Sequence, residues 1–495
     1  GIALNRRGDG RVDVYVNHET STVPFPFNAA APSAAGENDF DNAQVSRLTM
    51  DTRSATVLAG SYAITSAENY QRFCSSYLAT SREGFDRPIL FTNEEGIEWV
   101  NESGEAFPAP AQGADGARQA GVAIALDVRT GKRTPVLGMG RLNHENTVPI
   151  PGYDRLVTLT GDDTFQSLPP QSQVYSYIAE DTRSLLADKG SMYAFVSDTP
   201  GVDDYLDVAP GSTQSITGHF VKVPRNIATG KNPDGSDLMA ADVGYPAPGP
   251  GEFANDAFGR PTDGPQWVLE HWGDLNGVFQ FVRIEDIAYD KRPGRSNVVY
   301  LADSGAGTAG PSAQGRSTNG RIWKMVLDKK DPTKVTSLSV LVDGDVAPVK
   351  TLNQMHQVDN LETTRAGSLL VTEDPGSSQQ FPAGSTDPNA TTARLWRVPL
   401  DDPAAKEVVA RVDQSADGGP TDVDGKPLSN LGSWESSGVV DASSVFGPGA
   451  FLVDVQAHGL WVERAPGRDL NGDGAPDWTN KRESGQLVLV RIPRA

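Results

Sequence analysis

One pattern, returning six times along the 495 residues, constrains this chain more than any other: a short β-branched or aliphatic strand that runs into an acidic or amide-rich corner. It is read in VDVYVNHE (12–19), PILFTNEE (88–95), RLVTLTGDD (155–163), NVVYLADSG (297–305), SLLVTEDPG (368–376) and AFLVDVQAHG (450–459). Between these lie hairpins with Asp, Gly or Pro at the turns: QVSRLTMDTRSATVLAG, GVAIALDVRTGKRTPVLGMG, RIWKMVLDKKDPTKVTSLSVLV and ARLWRVPLDDPAAKEVVARV. A strand-plus-hairpin unit repeated about six times predicts an all-β fold, a six-bladed β-propeller with long loop insertions. The final GQLVLVRIPRA is expected to pair with N-terminal strands and close the ring, which would remove exposed sheet edges.

The length admits one large domain, 1–495, because closed all-β architectures run long. Abundant turn formers, Gly 51 and Pro 35, fit many short strands. The uneven repeat spacing is assigned to a loop-rich insertion over 180–280, holding at most a short helix near EDTRSLLADKG. The net charge of −21 comes without any Lys or Arg block, which argues against a nucleic-acid or anionic-membrane partner and for cations. No apolar run is long enough to span a bilayer. The opening GIALNRRGDGRV enters a strand almost at once, as expected of a secreted or periplasmic protein whose leader has been removed.

In a propeller, corners distant in sequence meet at one mouth of the channel. Glu19, Glu94, Glu95, Glu145, Asp162, Asp163, Glu285, Asp303, Glu373 and Asp374 would then crowd into a small volume, and crowded carboxylates stay ionised only if cations compensate them. Hard oxygen donors suit Ca²⁺, Mg²⁺, Mn²⁺ or Fe³⁺. The tripeptide Asn-His-Glu occurs twice, at 17–19 and 143–145; His18 and His144 read either as ligands or as buried hydrogen-bond formers. Cys74, the single cysteine, reads either as a small buried apolar residue or as a soft ligand for iron or zinc. In DLNGDGAPDW, residues 469–478, Asp469, Asn471, Asp473 and Asp477 alternate around Gly474 as calcium loops require, marking 466–480 as a structural calcium segment. Asn480 stands where the twelfth-position Glu would be, so Asp477 or another loop must complete the shell.

The order of VYVNHE, the single Cys before TNEEG, GRLNHE, YDRLVTLTGDD with VYSYIAEDTRSLLADKGSMYAF, and FVRIEDIAYD resembles that in the PhoX-type alkaline phosphatases, over about 10–195 and 280–460. The resemblance implies a secreted bacterial six-bladed propeller that hydrolyses phosphate monoesters, small-molecule substrates, with an iron and calcium cluster. It makes Cys74 the iron ligand, and Glu19, Glu95, Glu145 and Glu285 the carboxylate ligands. Asp163 completes the candidate metal set, and Arg283 and Glu145 are the candidate catalytic residues. Arg283 would clamp phosphoryl oxygens with two parallel donors. The chain departs from the family pattern at Ser75-Ser76 for Gly-Gly, at Ile284 for the Pro of Arg-Pro-Glu, and at Ala302-Asp303-Ser304 for Thr-Asn-Asn. Two other functions suit the same architecture: a non-catalytic calcium-stabilised propeller used for binding or extracellular assembly, and a phosphotriesterase or lactonase with calcium in the channel.

Overall fold

The computed structural model describes residues 1–19, 42–101, 117–164, 169–249, 252–253, 262–305, 319–346, 352–374, 391–413, 434–463 and 478–493. Alternating apolar strands joined by Gly, Asp and Pro turns form antiparallel meanders. The first holds β1 (Ile2–Arg6), β2 (Arg11–His18), β3 (Gln44–Asp51) and β4 (Val57–Ile64). The second holds β5 (Phe73–Ala79), β6 (Ile89–Glu94), β9 (Ala123–Asp127) and β10 (Lys132–Pro135), with a side ribbon of β7 (Trp99–Asn101) and β8 (Ala117–Gln119). Two further meanders are β11 (His144–Pro149), β12 (Leu156–Asp162), β13 (Val174–Ala179) and β14 (Ser191–Ser197), and β16 (Ile284–Tyr289), β17 (Val298–Asp303), β18 (Arg321–Leu327) and β19 (Lys334–Asp343). These two are joined through β15 (Ile216–Lys222), which pairs with both β14 and β19 and makes one nine-stranded sheet. Then come β20 (Val358–Thr363), β21 (Ser368–Glu373), β22 (Arg394–Pro399) and β23 (Glu407–Arg411), and a last sheet of β24 (Trp434–Asp441), β25 (Ala450–Glu463) and β26 (Trp478–Arg491).

The arrangement is all-β and propeller-like. By strand pairing, the described strands make four sheets of three or four strands, one of nine, and the ribbon, so pairing alone does not divide them into six blades. The first strands of the meanders nonetheless touch in a closed circuit: β1 to β5, β5 to β11, β11 to β16, β16 to β20, β20 to β24, and β24 back to β1. Apolar clusters fill the wedges between meanders. One such cluster lies within the nine-stranded sheet, where Phe195, Phe220, Phe279, Phe281 and Trp323 stack at centroid distances of 4.8–6.3 Å. Where β12 crosses β16, only glycine fits: a Cβ on Gly161 would stand 2.5 Å from the Ile284 carbonyl oxygen.

Two expectations need correction. The C-terminal strand β26 pairs with β25 and not with N-terminal chain; closure comes from β1 packing against β24, without a shared ladder. Residues 180–280 hold more regular structure than the one short helix expected, since β14 and β15 lie there with an 11-residue helix, Pro265–Leu275. That helix buries Trp267, Val268, Leu269 and Trp272 against the second and third meanders. The short helix expected near EDTRSLLADKG is Thr182–Leu186, with Asp181 accepting from the Ser184 amide as its cap.

Candidate metal centre

The six corner sequences fall on second strands, β2, β6, β12, β17, β21 and β25, and a period-two alternation divides their acids into two groups. The last residue of the strand turns into its own meander. Glu94 accepts from the Gln71 and Val122 amides at 3.0 and 3.1 Å and from both terminal nitrogens of Arg118 at 2.6–2.8 Å. Glu373 accepts from the His356 amide at 2.7 Å, from Arg394 at 2.8 Å and from the Trp396 indole at 2.9 Å. Asp303 accepts from the Val282 and Arg283 amides at 3.2 and 3.1 Å and from the Trp323 indole at 3.3 Å. Gln71, Val282 and His356 each stand two residues before a first strand, so one buried acid in each of three meanders ties the second strand to the entry of the first. Asp162 bonds Thr164 Oγ1 at 2.8 Å. Glu94, Asp162, Asp303 and Glu373 are thus structural, which corrects their inclusion among the converging carboxylates.

The residue after each of these corners faces the ring axis: Glu19, Glu95, Asp163, Ser304 and Asp374. First strands supply the rest, always from their second residue: Cys74, Glu145, Glu285, Asp359 and Glu435. On β5, β11, β16 and β20 that residue falls where the ladder changes register, a bulge that re-aims a side chain. Ligand atoms of Glu19, Cys74 and Glu95 lie within 4.8 Å of one another, and so do those of Glu95, Glu145 and Asp163. Arg283 joins Glu285 to this group, donating Nε and Nη2 to Asp163 at 2.8 and 2.6 Å and Nη2 to Glu285 at 2.9 Å. Gln456 Nε2 donates to Glu19 at 3.0 Å.

Sequence reasoning missed Asp359 and Glu435 and left Asp374 out of the ligand set. The signal was present: VDN at 358–360 and WES at 434–436 repeat the HEN, IED and FCS arrangement of first-strand openings. The two Asn-His-Glu tripeptides are not equivalent, since the first ends a second strand and the second opens a first strand. Both histidines are hydrogen-bond formers, His18 to Ser46 Oγ at 2.7 Å, and His144 to the Gly140 carbonyl at 3.1 Å and Thr160 Oγ1 at 3.3 Å. Burial holds His144 down at about 4. Asn17 and Asn93 latch adjacent meanders, Asn17 donating to the Cys74 and Ser75 carbonyls at 3.0 and 2.9 Å and Asn93 to the Glu145 carbonyl at 2.6 Å. Asp469, Asn471, Asp473 and Asp477 lie outside the described residues.

Electrostatically the group is strained towards protonation. Burial first, and then neighbouring carboxylates, push Glu95, Glu145 and Asp359 well above the ordinary carboxylate range. Glu285 goes the same way by burial, against the pull of Arg283. Burial and the charges of Glu145, Glu19 and Glu95 raise the Cys74 thiol. Two deeply buried oxygens, Glu95 Oε2 and Glu145 Oε1, have no hydrogen-bond partner. Buried acceptors without donors, surrounded by like charge, fit a site for cations, and a thiol among carboxylates provides one soft position in a hard set.

Below this layer the third residues of the first strands bond to neighbouring first strands and, in one case, across the ring. Asn360 Nδ2 donates to Ser75 Oγ at 3.3 Å, and Asn146 Nδ2 and the Leu361 amide donate to Asp286 at 2.7 Å. They form a polar floor, beyond which a cavity of about 370 Å³ runs between the first strands.

Residues 115–418 match the family model described as alkaline phosphatase PhoX. The match contains Glu145, Asp163, Arg283, Glu285, Asp359 and Asp374, while Glu19, Cys74 and Glu95 precede it. No curated protein matches the chain in sequence. Among solved structures it is similar to Pseudomonas fluorescens PhoX in complex with vanadate, described as a transition-state analogue, with a TM-score of 0.60 and 15% identity over 99% of this chain and 88% of that one. The NanB sialidase from Streptococcus pneumoniae aligns with 100% of this chain and 68% of its own at a TM-score of 0.37 and 8% identity.

Proposed function

The chain belongs to the PhoX alkaline phosphatase family of phosphomonoesterases, and from that premise we propose that it hydrolyses small phosphate esters at a polymetal centre on the ring axis. The observation that carries the reading is the buried pair of unpartnered carboxylate oxygens on Glu95 and Glu145, within reach of Asp163, Glu19 and Cys74. Iron would sit at Cys74, and calcium among Glu19, Glu95, Glu145, Asp163 and Glu285, with Asp359, Asp374 and Glu435 extending the set. Bound cations would supply Lewis acidity to the phosphoryl group and lower the pKa of the attacking water.

The chain's own residues perform the remaining tasks. Ten inward positions hold mostly acids, so a dianionic phosphoryl group is repelled until cations neutralise them. Arg283 reaches the same place with a planar fork that here holds Asp163 and Glu285; once cations take up those carboxylates, the fork suits two phosphoryl oxygens where a point charge does not. Ser75, Asn146, Asp286 and Asn360 form a polar layer below the carboxylates and also line the cavity of about 370 Å³. We read the 469–477 loop as a separate structural calcium site, and the protein as secreted or periplasmic. Among the described residues no helix is long and apolar enough to cross a membrane.

Elemental analysis of purified protein, followed by hydrolysis of a generic aryl phosphate at alkaline pH with and without vanadate, tests the reading. Iron together with calcium, turnover and inhibition by vanadate are expected. Full metal occupancy without turnover would overturn it.

A further inference from the structure

We propose that Ser75 and Ser304 are positioning residues, each holding one oxygen of a ligand carboxylate so that Glu145 and Glu285 present the other oxygen to a cation. The inference rests on the metal-centre reading above.

Ser75 Oγ donates to Glu145 Oε2 at 2.6 Å, within the short range of a hydroxyl bonded to a carboxylate, and both groups are buried. The side-chain amide of Asn360 donates to that same Oγ at 3.3 Å, so a lone pair of the hydroxyl is taken and its single proton is directed at Glu145. The other oxygen, Oε1, is the buried one without a partner. Ser304 repeats the arrangement from a different position, the corner after β17: its Oγ donates to Glu285 Oε1 at 2.7 Å, on the oxygen that Arg283 Nη2 also reaches at 2.9 Å.

A buried serine ordinarily satisfies itself on a nearby backbone carbonyl, as Ser172 does on Asp162 at 2.6 Å. Ser75 and Ser304 instead bond carboxylates of the central group. A glutamate has three side-chain torsions, and without such a tether it can offer either oxygen, both, or neither. The Asn360–Ser75–Glu145 relay also joins three meanders. In the circuit of first strands β5 and β20 stand opposite each other, with β11 and β16 on one side and β24 and β1 on the other. Removing the Ser75 hydroxyl therefore frees Glu145 from a tether that crosses the ring.

The test uses the full chain stripped with chelator and titrated with Ca²⁺ against a competing chelating dye, for wild type, Ser75→Ala, Ser304→Ala and Asn360→Ala. Ser75→Ala and Ser304→Ala should each weaken Ca²⁺ binding roughly 10–100-fold, the usual effect of removing an outer-sphere hydrogen bond to a ligand. Asn360→Ala should weaken it less, because the hydroxyl remains but loses its orientation. The melting temperature of each stripped variant separates the roles: a structural serine lowers that temperature and leaves affinity alone, whereas a positioning serine lowers affinity. If Ser75→Ala fails to fold, Ser304→Ala makes the same reading on Glu285. Wild-type affinity in folded serine variants overturns the inference and leaves the metal centre standing. Wild-type protein that takes up no Ca²⁺ overturns the centre itself, and the inference with it.

Discussion

Glu94 and Glu95 are neighbours in sequence, equally buried, and should respond to the same substitution with opposite signs. Glu94 holds four donors, two of them the Arg118 guanidinium. Glu94→Gln leaves Arg118, whose side chain is 15% exposed, without its counter-charge. Breaking one side of a buried pair costs about 3–5 kcal/mol, and the partial exposure of Arg118 places this case at the lower end. Glu95 has the opposite character, since Oε2 accepts nothing and burial together with Glu19, Asp163 and Glu285 raises its pKa against the pull of Arg72. A carboxyl whose pKa is higher folded than unfolded binds more protons in the native state. Its stabilisation is present below the ordinary carboxylate value and is lost as pH rises towards the folded value. Each pH unit in that window removes up to about 1.4 kcal/mol, and relaxation of the coupled neighbours reduces the sum. In chelator, Glu95→Gln should therefore match wild type near pH 5 and be the more stable of the two at pH 8, by up to about 1.4 kcal/mol for each pH unit crossed below the folded value. Glu94→Gln should be less stable at both. Added Ca²⁺ should reverse the order at pH 8, because the Glu95→Gln variant has lost a ligand. Thermal unfolding at the two pH values, with and without chelator, reads all of this. If Glu95→Gln melts below wild type in chelator at pH 8, the division of the corner acids into structural and central groups is wrong.

Cys74→Ser should lose iron and nearly all turnover while retaining calcium, because a neutral hydroxyl replaces a soft anionic donor; elemental analysis beside a rate measurement checks it. Arg283→Lys should keep its metals and lose roughly 10²-fold in kcat, the scale of removing an oriented donor from a transition state; an unchanged kcat would remove Arg283 from the chemistry. Asn93→Ala should cost about 1–2 kcal/mol, since the Glu145 carbonyl at 2.6 Å and Thr147 Oγ1 at 3.2 Å lose their donor; a denaturation midpoint equal to wild type would show that this latch does not hold the meanders together.

The four hairpins read from the sequence are the outer pairs β3–β4, β9–β10, β18–β19 and β22–β23, and five of the six corners end second strands, the sixth lying within β25. They were legible because period-two alternation and turn chemistry are local. The first strands were harder to see. Apart from β1, they open with an apolar residue or His144, then an acid or Cys74, then Asn, Asp or Ser, and on β5, β11, β16 and β20 a bulge at that point breaks the alternation that would announce a strand. Asp359 was hidden for that reason, although its opening and that of Glu435 rhyme with those of Glu145 and Glu285. Within the loop-rich 180–280 segment β15 was missed for another reason: besides its pairing with β14 it is held by β19, more than a hundred residues later, which no local pattern encodes.

The same geometry couples closure of the ring to the charge at its centre. Five of the six first strands, all but β1, contribute their second residue to the axis, so bringing those meanders together necessarily brings Cys74, Glu145, Glu285, Asp359 and Glu435 together. The apolar wedges and asparagine latches favour that approach, and the carboxylates oppose it more strongly as pH rises. Protonation relieves the opposition as pH falls, since burial and neighbouring carboxylates raise these acids well above their ordinary range. Cations would relieve it without protons, because a shared positive charge would neutralise ligands carried by different first strands. Binding energy spent in that way is also folding energy. A metal centre on the axis, as proposed above, would therefore be both a site for chemistry and the element that lets so acidic a ring close without protonating its carboxylates.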